Sequence, residues 1–436
     1  MSYSENKRHD REDDGDEITK RQTKKARKTP PDWLLLDRCG HPDQSEPDGG
    51  GSEKDDDGSP WTASEVMSNG ARFQLSLHAQ EPPGVTHLLY RATVPADVLT
   101  TFAPRDSSHF FLRPTSAKFS LTVKSSNDKA ILLETGCAGV TEYLVMDHID
   151  HSPPVVTRLP EIPPCMITHR GVGLMRRGGG GYVVAALKHE REARWSVFFL
   201  SSSSANAWRR VPARPAPELG DWFPWEISEV FAYGGRFWWV DLRRGLLSFS
   251  PDSLLQEEDD TPVELQFTRL PNVTMEEAKN PRASKDPVQP DRCVTASRGR
   301  LRYVEMRARR ELPGSLAVEP PPLCDDCRGG IVGSWTLDDS GGAWAKDHAL
   351  KLADVWRDES YQSMGLPKEV PEYPLVHPFD PNVVHFSVKE GGYRYDHDGH
   401  VFTVDLRTKQ VKSCASRCHN YYDRKSLEPV FGGSSE

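Results

Sequence analysis

Cysteine is sparse in this sequence, which has eight cysteines among 436 residues. No apolar leader precedes them, because the N-terminus reads "MSYSENKRHDREDDGDE". Small secreted domains depend on dense disulfides, and nothing here resembles such a framework. The pattern predicts reduced thiols in a cytosolic or nuclear protein. The cysteines are Cys39, Cys137, Cys165, Cys293, Cys324, Cys327, Cys414 and Cys418.

Long hydrophobic runs are also missing, so no segment is predicted to cross a bilayer. Hydrophobic residues make up 36% of the chain, which is low for a wholly globular protein and indicates appended disordered segments. The formal net charge of −9 excludes a protein that binds nucleic acid through its bulk charge. Any basic function must come from a local cluster.

Catalytic motifs are absent as well. We find no nucleophile elbow, no phosphate-cradling glycine loop and no HExxH sequence. The stretch "GVGLMRRGGGG" (171–181) is rich in glycine but lacks the GxGxxG order and a following helix, so it is typical of a hairpin loop. The sequence therefore predicts no catalytic residue and no cofactor. An enzyme with a site at the mouth of a central channel stays open as a weaker alternative.

Four short stretches resemble metal-binding motifs. "CDDC" (324–327) has the spacing of half a zinc site, and "CASRCH" (414–419) could supply the other half, although its spacing is less typical. Free thiols in loops are the favoured interpretation. "DHIDH" (147–151) and "DHDGH" (396–400) fall where hairpin turns are expected, and Asp and Gly favour such turns. No metal site is predicted.

Residues 1–31 are predicted to be a disordered tail of mixed charge. Two basic clusters on a flexible spacer resemble a bipartite nuclear localisation signal read by an import receptor. Its residues are Lys7, Arg8, Lys20, Arg21, Lys24, Lys25, Arg27 and Lys28. The prediction is a nuclear protein that could also occur in the cytoplasm. A solvated tail without a partner is the alternative, and a nucleic-acid-binding arm is disfavoured by the acidic spacer.

Two further segments are polar. Residues 41–60, rich in Gly, Pro and acids, are predicted to be a disordered linker, and residues 425–436 a flexible C-terminal tail. The apolar run "DWLLLDR" (32–38) lies between polar stretches, so it must pair with something distant if it is ordered. The folded domain is predicted to span residues 32–424, with the linker inside it.

The body of the chain is rich in β-strand signals. Runs of about five to seven residues rich in Val, Leu, Phe, Tyr and Trp alternate with Gly, Pro, Ser and Asp, as expected for strands and turns. Examples are "KFSLTVK" (118–124), "GYVVAAL" (181–187) and "WSVFFL" (195–200). Helical periodicity is limited to short candidates such as "ALKLADVW" (349–356). The fold class is therefore predicted to be all-β.

The strand pattern repeats. Each unit has an apolar strand, a polar turn, a second strand and an exit proline. The exit prolines Pro160, Pro212 and Pro271 are 52 and 59 residues apart. A four-stranded unit recurring at about 50 residues is typical of a propeller blade. The length of the body predicts a β-propeller-like fold of six to seven four-stranded blades. A β-sandwich or two stacked β domains would have similar strands without the repeat.

Four tryptophans are predicted to be structural: Trp222, Trp225, Trp238 and Trp239. Trp238 and Trp239 are adjacent in the strand-like segment "RFWWVDL", so they point to opposite faces of a strand. A propeller blade is packed on both faces by its neighbours, whereas a one-sided sheet needs a single apolar face. The pair is therefore predicted to pack between blades.

Six stretches of the sequence together indicate a family. They are "WLLLDR" (33–38), "SLHAQEPPGVTHLLYR" (76–91), "DWFPWEISEVFAYGGRFWWVDLRRGLLSFSPD" (221–252), "GRLRYVEM" (299–306), "SWTLDDSGGAWAKDHALKLADVWRDESY" (334–361) and "GLPKEVPEYPLVHPFDPNVVHF" (365–386). They resemble the plant family called domain of unknown function 1618, which is expanded in grasses. The resemblance covers most of residues 32–412 and implies a shared fold. The family supplies no catalytic residues to carry over, so the resemblance implies nothing about mechanism.

The function predicted is a non-enzymatic protein-interaction module that acts in the nucleus and binds an unknown protein partner through the loops at the blade ends. Nucleic-acid binding is the main alternative, because "RLRYVEMRARR" (300–310) interleaves aromatic residues with arginines. Such alternation is more typical of one solvated strand face. No membrane partner is predicted.

Overall fold

The computed structural model describes strands at almost all of the apolar runs. The described residues are 32–43, 63–101, 119–149, 154–161, 163, 171–189, 194–203, 207–219, 225–256, 261–273, 291–308, 330–338, 342–389, 399–417 and 427–431. Residues 31–436 form one compact unit. The predicted tail (1–31) lies outside the described residues.

The first two blades come from the N-terminal part of the chain together with its last strand. Blade 1 has the strand order β2-β3-β4-β1-β26, and blade 2 has the order β5-β6-β7-β8. The bounds are β1 Trp33–Pro42, β2 Ala63–Val66, β3 Arg72–His78, β4 Val85–Thr93, β5 Ser120–Asn127, β6 Ala130–Cys137, β7 Val140–Asp147, β8 Val155–Arg158 and β26 Leu427–Phe431. One pair, Cys39 with Thr122, joins the two blades into a single sheet.

Four more blades follow in chain order. Blade 3 has the order β9-β10-β11-β12-β16, blade 4 β13-β14-β15-β17, blade 5 β18 to β21, and blade 6 β22 to β25. The bounds are β9 Val172–Arg176, β10 Tyr182–His189, β11 Trp195–Ser201, β12 Arg209–Arg214, β13 Glu229–Tyr233, β14 Arg236–Asp241, β15 Gly245–Phe249, β16 Val263–Glu264, β17 Gln266–Arg269, β18 Arg292–Ser297, β19 Arg300–Arg307, β20 Ile331–Leu337, β21 Trp344–Lys351, β22 Glu372–Val376, β23 Val383–Lys389, β24 Gly399–Asp405 and β25 Gln410–Arg417.

Helices in the described residues are short. They are α1 Ala96–Thr101, α2 Asp252–Gln256, α3 Leu352–Arg357 and α4 Glu359–Gln362, with single 3-10 turns at Gly178–Gly180 and Pro217–Leu219. Helix α3 lies in the stretch where the sequence predicted a short helix, although β21 takes up the first part of that stretch. The predicted all-β, propeller-like fold is confirmed.

Tight hairpins connect several neighbouring strands, such as β5 with β6, β6 with β7, β13 with β14 and β18 with β19. The turn between β13 and β14 places Gly234 (φ 59°) and Gly235 (φ 67°) in the left-handed region. This is the geometry of a type I′ turn, which matches the twist of the flanking strands and favours glycine. Each exit proline lies within or just after the fourth strand of a blade. Pro160 follows β8, Pro212 lies within β12, and Pro271 follows β17.

Among the described residues, six hydrophobic clusters lie between neighbouring blades. Five of them each draw buried side chains from two consecutive blades, so blades 1 to 6 are joined in order. The sixth cluster joins Trp33, Leu35 and Val85 of blade 1 to Leu375 and Val401 of blade 6, and it also contains Cys293 of blade 5. The set of interfaces is therefore cyclic, and the six blades of the described residues agree with the predicted six to seven.

Strand β14 shows how a blade uses both faces. Trp239 lies in the cluster between blades 3 and 4, and Trp238 lies in the cluster between blades 4 and 5. The rings of Phe237, Trp239 and Phe249 pack against one another, with the Trp239 centroid 5.9 Å from Phe237 and 5.6 Å from Phe249, and the two phenylalanines 6.0 Å apart. Trp225 is buried in the same cluster as Trp239. Trp222 lies outside the described residues.

The two ends of the domain meet in blade 1. Strand β1 pairs antiparallel with β26 from Trp33–Phe431 to Asp37–Leu427, and parallel with β4 on its other side. Two predicted boundaries are corrected here. Strand β1 continues to Pro42, so the linker cannot begin at residue 41, and β26 occupies part of the segment 425–436 that was predicted to be a flexible tail. Their partners are far away in sequence, so no local pattern predicts the pairing of residues 41–42 or of β26.

Candidate functional site

The loop between β22 and β23, residues 377–382, carries an exposed aromatic side chain on a well-bonded backbone. We call it the Phe379 loop. Phe379 is 43% exposed, and the other large exposed apolar side chains among the described residues are Val66 and Val155. Nδ1 of His377 accepts the backbone N–H groups of Phe379 and Asp380, both at 3.1 Å. These bonds fold the loop over the His377 ring.

Contacts from the two flanking hairpins hold this loop. The Ser297 hydroxyl donates to the His377 carbonyl (2.7 Å), and the Arg298 backbone N–H donates to the Pro378 carbonyl (2.8 Å). Within blade 6, the Leu406 N–H donates to the Asn382 carbonyl at 2.8 Å. The loop is thereby joined to the β18–β19 turn and the β24–β25 turn. Phe379 is presented by a preorganised backbone.

Below the loop lies a cluster of two histidines and one tryptophan at the junction of blades 6 and 1. The rings of His377 and His385 are stacked at 5.6 Å, and Trp33 contacts both at 4.8 and 5.2 Å. Nδ1 of His385 lies 2.9 Å from the Thr403 hydroxyl. Nε2 of His385 is buried and has no hydrogen-bond partner among the described residues.

Burial governs the protonation of both histidines. Burial, with a smaller contribution from His377, lowers the pKa of His385 to about 3. Burial also lowers the pKa of His377, against an opposing effect of Asp380. Since Nδ1 of His377 accepts two N–H groups, that nitrogen carries no proton. The cluster is therefore neutral near pH 7.

A second polar group lies in blade 1, where Asp37 and His41 of β1 meet His87 of β4. Nε2 of His41 is 3.5 Å from Oδ2 of Asp37 and 3.3 Å from Nδ1 of His87, which is 4.0 Å from the same Asp37 oxygen. Asp37 is buried, and the two histidines are partly exposed. We call this group the Asp-His-His triangle.

A β-bulge creates the triangle. Residues four apart in a regular strand are separated by about 13 Å. In β1 the register shifts between Leu36, opposite Thr86, and Gly40, opposite Leu88. Three residues of β1 (37–39) therefore lie opposite a single residue of β4, His87. Within the bulge, the Asp37 carboxylate accepts the Cys39 N–H at 3.2 Å.

Gly40 is required by the same bulge, because a Cβ at this position would lie 2.6 Å from Cδ2 of Leu121. The sequence reasoning missed the triangle. The signal that could have found it is the run "DRCGH" directly after a buried strand, since an isolated glycine in a strand indicates a bulge or a close backbone approach. His87 carries no comparable local signal.

The predicted localisation-signal residues, Lys7 to Lys28, all lie outside the described residues, as do Cys324, Cys327 and Cys418. Cys414 is half-buried on β25 as a free thiol. The described part of "DHIDH" is a turn, in which His148 has φ 55° and Asp147 accepts the His148 N–H.

Strand β19 contains the described part of the arginine-aromatic alternation. Tyr303 is fully buried between blades 4 and 5, so its ring cannot stack on a base. Arg302 donates to Asp347 at 3.2 Å and also contacts Thr336. Val304 and Met306 are buried on the other side of the strand, between blades 5 and 6. The alternation here reflects packing on both faces.

Within the described part of the chain, no helix is both long and apolar enough to span a membrane.

Solved structures with similar strand arrangements belong to proteins of different kinds. A puromycin-hydrolysing peptidase from Mycobacterium tuberculosis is 13% identical with a TM-score of 0.37, and the match covers 68% of this chain but only 38% of the peptidase. The WD40 domain of SCAP from fission yeast is 9% identical with a TM-score of 0.31, covering 82% of this chain and 74% of that domain. An ulvan lyase of a new polysaccharide lyase family is 9% identical with a TM-score of 0.33, covering 80% of each chain. These similarities are too low to support an argument about function.

No curated protein matches this sequence. A family model does match, over residues 239–385, which run from Trp239 in β14 of blade 4 to His385 in β23 of blade 6. The family is described as a protein of unknown function, DUF1618. The resemblance found in the sequence is confirmed over this stretch: residues 239–385 are a DUF1618 region.

Proposed function

We propose that this protein is a non-enzymatic protein-interaction module whose main contact surface is the Phe379 loop. The observation that supports it is a 43% exposed phenylalanine on a loop held by two flanking hairpins. A large aromatic side chain on a rigid backbone can enter a partner's pocket at little conformational cost. The partner is expected to offer an apolar pocket of the size of a phenyl ring.

The strands of the blades bury side chains of both faces against the neighbouring blades. Strand β14 buries Trp239 toward blade 3 and Trp238 toward blade 5, and β19 buries Tyr303 toward blade 4 and Met306 toward blade 6. Binding to such a scaffold uses the loops that connect strands. Among these loops, the Phe379 loop combines apolar exposure with extensive backbone hydrogen bonding, which favours it as the contact.

Replacing Phe379 by alanine is expected to weaken partner binding by at least about tenfold, since truncating an interface anchor typically costs about 2 kcal/mol or more. Folding should be unaffected because the side chain is exposed. Proteins crosslinked to the wild type and to F379A in cells would be compared by quantitative mass spectrometry. Purified binding partners would then be titrated against both forms.

Val155→Ala is the matched control for this experiment. Val155 is 55% exposed but lies on the short strand β8 of blade 2. The V155A variant should keep every partner that F379A loses. Partner binding that survives F379A at an unchanged melting temperature would rule out the Phe379 loop as the contact surface.

We further propose that the module acts in the nucleus, carried there by the basic clusters at Lys7–Arg8 and 20–28. The support is their composition and the spacing between them. A fluorescent reporter fused to residues 1–31 is expected to accumulate in nuclei. Changing Lys24, Lys25, Arg27 and Lys28 to alanine should return it to an even distribution. A reporter that never concentrates in nuclei would contradict nuclear import by this segment.

A further inference from the structure

The Asp-His-His triangle has the composition and dimensions of a metal site. We propose that Asp37, His41 and His87 bind one zinc-class divalent transition-metal ion, which joins the bulge of β1 to β4. This inference is independent of the Phe379 loop and its partner.

The distances fit tetrahedral coordination. Zinc binds imidazole nitrogen at about 2.0–2.1 Å and carboxylate oxygen at about 2.0–2.2 Å, so neighbouring ligand atoms in a tetrahedral site lie about 3.3–3.5 Å apart. Two edges of the triangle, 3.3 Å and 3.5 Å, already have this length, and the third is 4.0 Å. A shift of His87 toward Asp37 by about half an ångström would complete the geometry.

The ligand set selects the class of metal. Two imidazoles and one carboxylate suit zinc and its neighbours in the first transition row, whereas magnesium and calcium prefer oxygen ligands. Three protein ligands leave a fourth position for water. His41 and His87 are 15% and 25% exposed at their side chains, so solvent and ions have access. Asp37, only 4% exposed, would supply a buried negative charge opposite the ion.

The proposed metal site lies on a strand that pairs with three other strands. Strand β1 pairs with β26 from the far end of the domain, with β4 in its own blade, and through Cys39 with β5 of blade 2. An ion bound by both β1 and β4 would hold the bulge in the shape that these pairings need. Metal binding to the folded state alone raises the stability of that state. The melting temperature should therefore rise with added zinc.

The full-length chain, stripped with a chelator and dialysed, would be titrated with Zn²⁺ by calorimetry and with Co²⁺ by absorption spectroscopy. One zinc per chain and a tetrahedral Co²⁺ spectrum are expected. His87→Ala should weaken zinc binding by more than about 100-fold, because loss of a ligand should exceed the 10–100-fold cost of losing an outer-shell partner. Asp37→Asn and His87→Gln test the carboxylate and the imidazole with less change of volume.

Two controls separate this site from other zinc-binding side chains. The C324S/C327S double variant removes the cysteine pair and should keep the zinc. His148→Ala removes a histidine outside the triangle that lies 3.9 Å from Asp147, and this variant should also bind zinc normally. Circular dichroism in chelator would show that each variant is folded. The proposal is overturned if folded H87Q and D37N bind zinc like the wild type, if zinc is lost with C324S/C327S, or if the wild type binds none.

Discussion

Replacing Trp239 by alanine is expected to lower the free energy of unfolding by about 4 kcal/mol, which is within the range for removing a buried tryptophan from a packed core. The side chain is fully buried and packs against the rings of both Phe237 and Phe249. Its Nε1–H also donates to the Gly171 carbonyl at 2.9 Å, and the variant removes this shorter of two hydrogen bonds to that oxygen, the other coming from the Leu187 N–H at 3.3 Å. Because the ring lies between blades 3 and 4, the loss should appear as a lower denaturation midpoint of the whole domain.

Urea denaturation followed by circular dichroism would measure this effect without relying on tryptophan fluorescence. Trp344→Ala is the matched control, since Trp344 also donates its Nε1–H to a backbone carbonyl, that of Arg269 at 2.7 Å. That side chain is only partly buried, on β21. Its loss should cost less than half as much. Equal losses for the two variants would contradict the central packing role of Trp239.

The second large expected effect is that His385 makes the folded protein less stable as the pH falls. In the folded protein, burial lowers the pKa of His385 to about 3, whereas the ordinary value is 6.5. Below pH 6.5 the unfolded chain takes up a proton at this residue and the folded chain does not. Stability that is present above pH 6.5 is therefore lost as the pH falls toward 3. Between pH 6.5 and 4.5 the loss should be about 2.3 kcal/mol.

His385→Gln removes the titrating group and keeps a polar side chain beside the Thr403 hydroxyl. The stability of H385Q, measured by urea denaturation from pH 7 to 4.5, should fall less steeply than that of the wild type. His148→Gln is the control for the same substitution at an exposed histidine in a turn. Parallel curves for H385Q and the wild type would show that His385 does not carry this pH dependence.

The sequence was sufficient for the class of fold and the repeating unit. Strand runs, turn residues and the recurring exit prolines are local patterns, and hairpins form between neighbours in sequence. The alternation along "RFWWVDL" is also local, which is why the two tryptophans could be assigned to opposite faces. The DUF1618 phrases helped only with the family, because the family carries no catalytic residues to transfer.

The candidate sites were harder to predict. Asp37, His41 and His87 converge only because β1 carries a bulge and lies parallel to β4, and neither feature has a sequence period. The Phe379 loop was part of a quoted family phrase, but its rigidity comes from Ser297 and Arg298 of another blade.

The sequence alone determined that this chain forms β-hairpins in a repeat of about the length of a blade. It also determined that the strands are apolar on both faces. Both properties are local, because pleat alternation and turn chemistry act over a few residues. Tertiary structure decided how the blades are closed into a cycle. Pairing of Trp33 with Phe431 joins residues from opposite ends of the domain, and burial at the junction of blades 6 and 1 makes His385 neutral. Such pairings form only when all the interfaces between blades form together, and no short stretch of sequence predicts this.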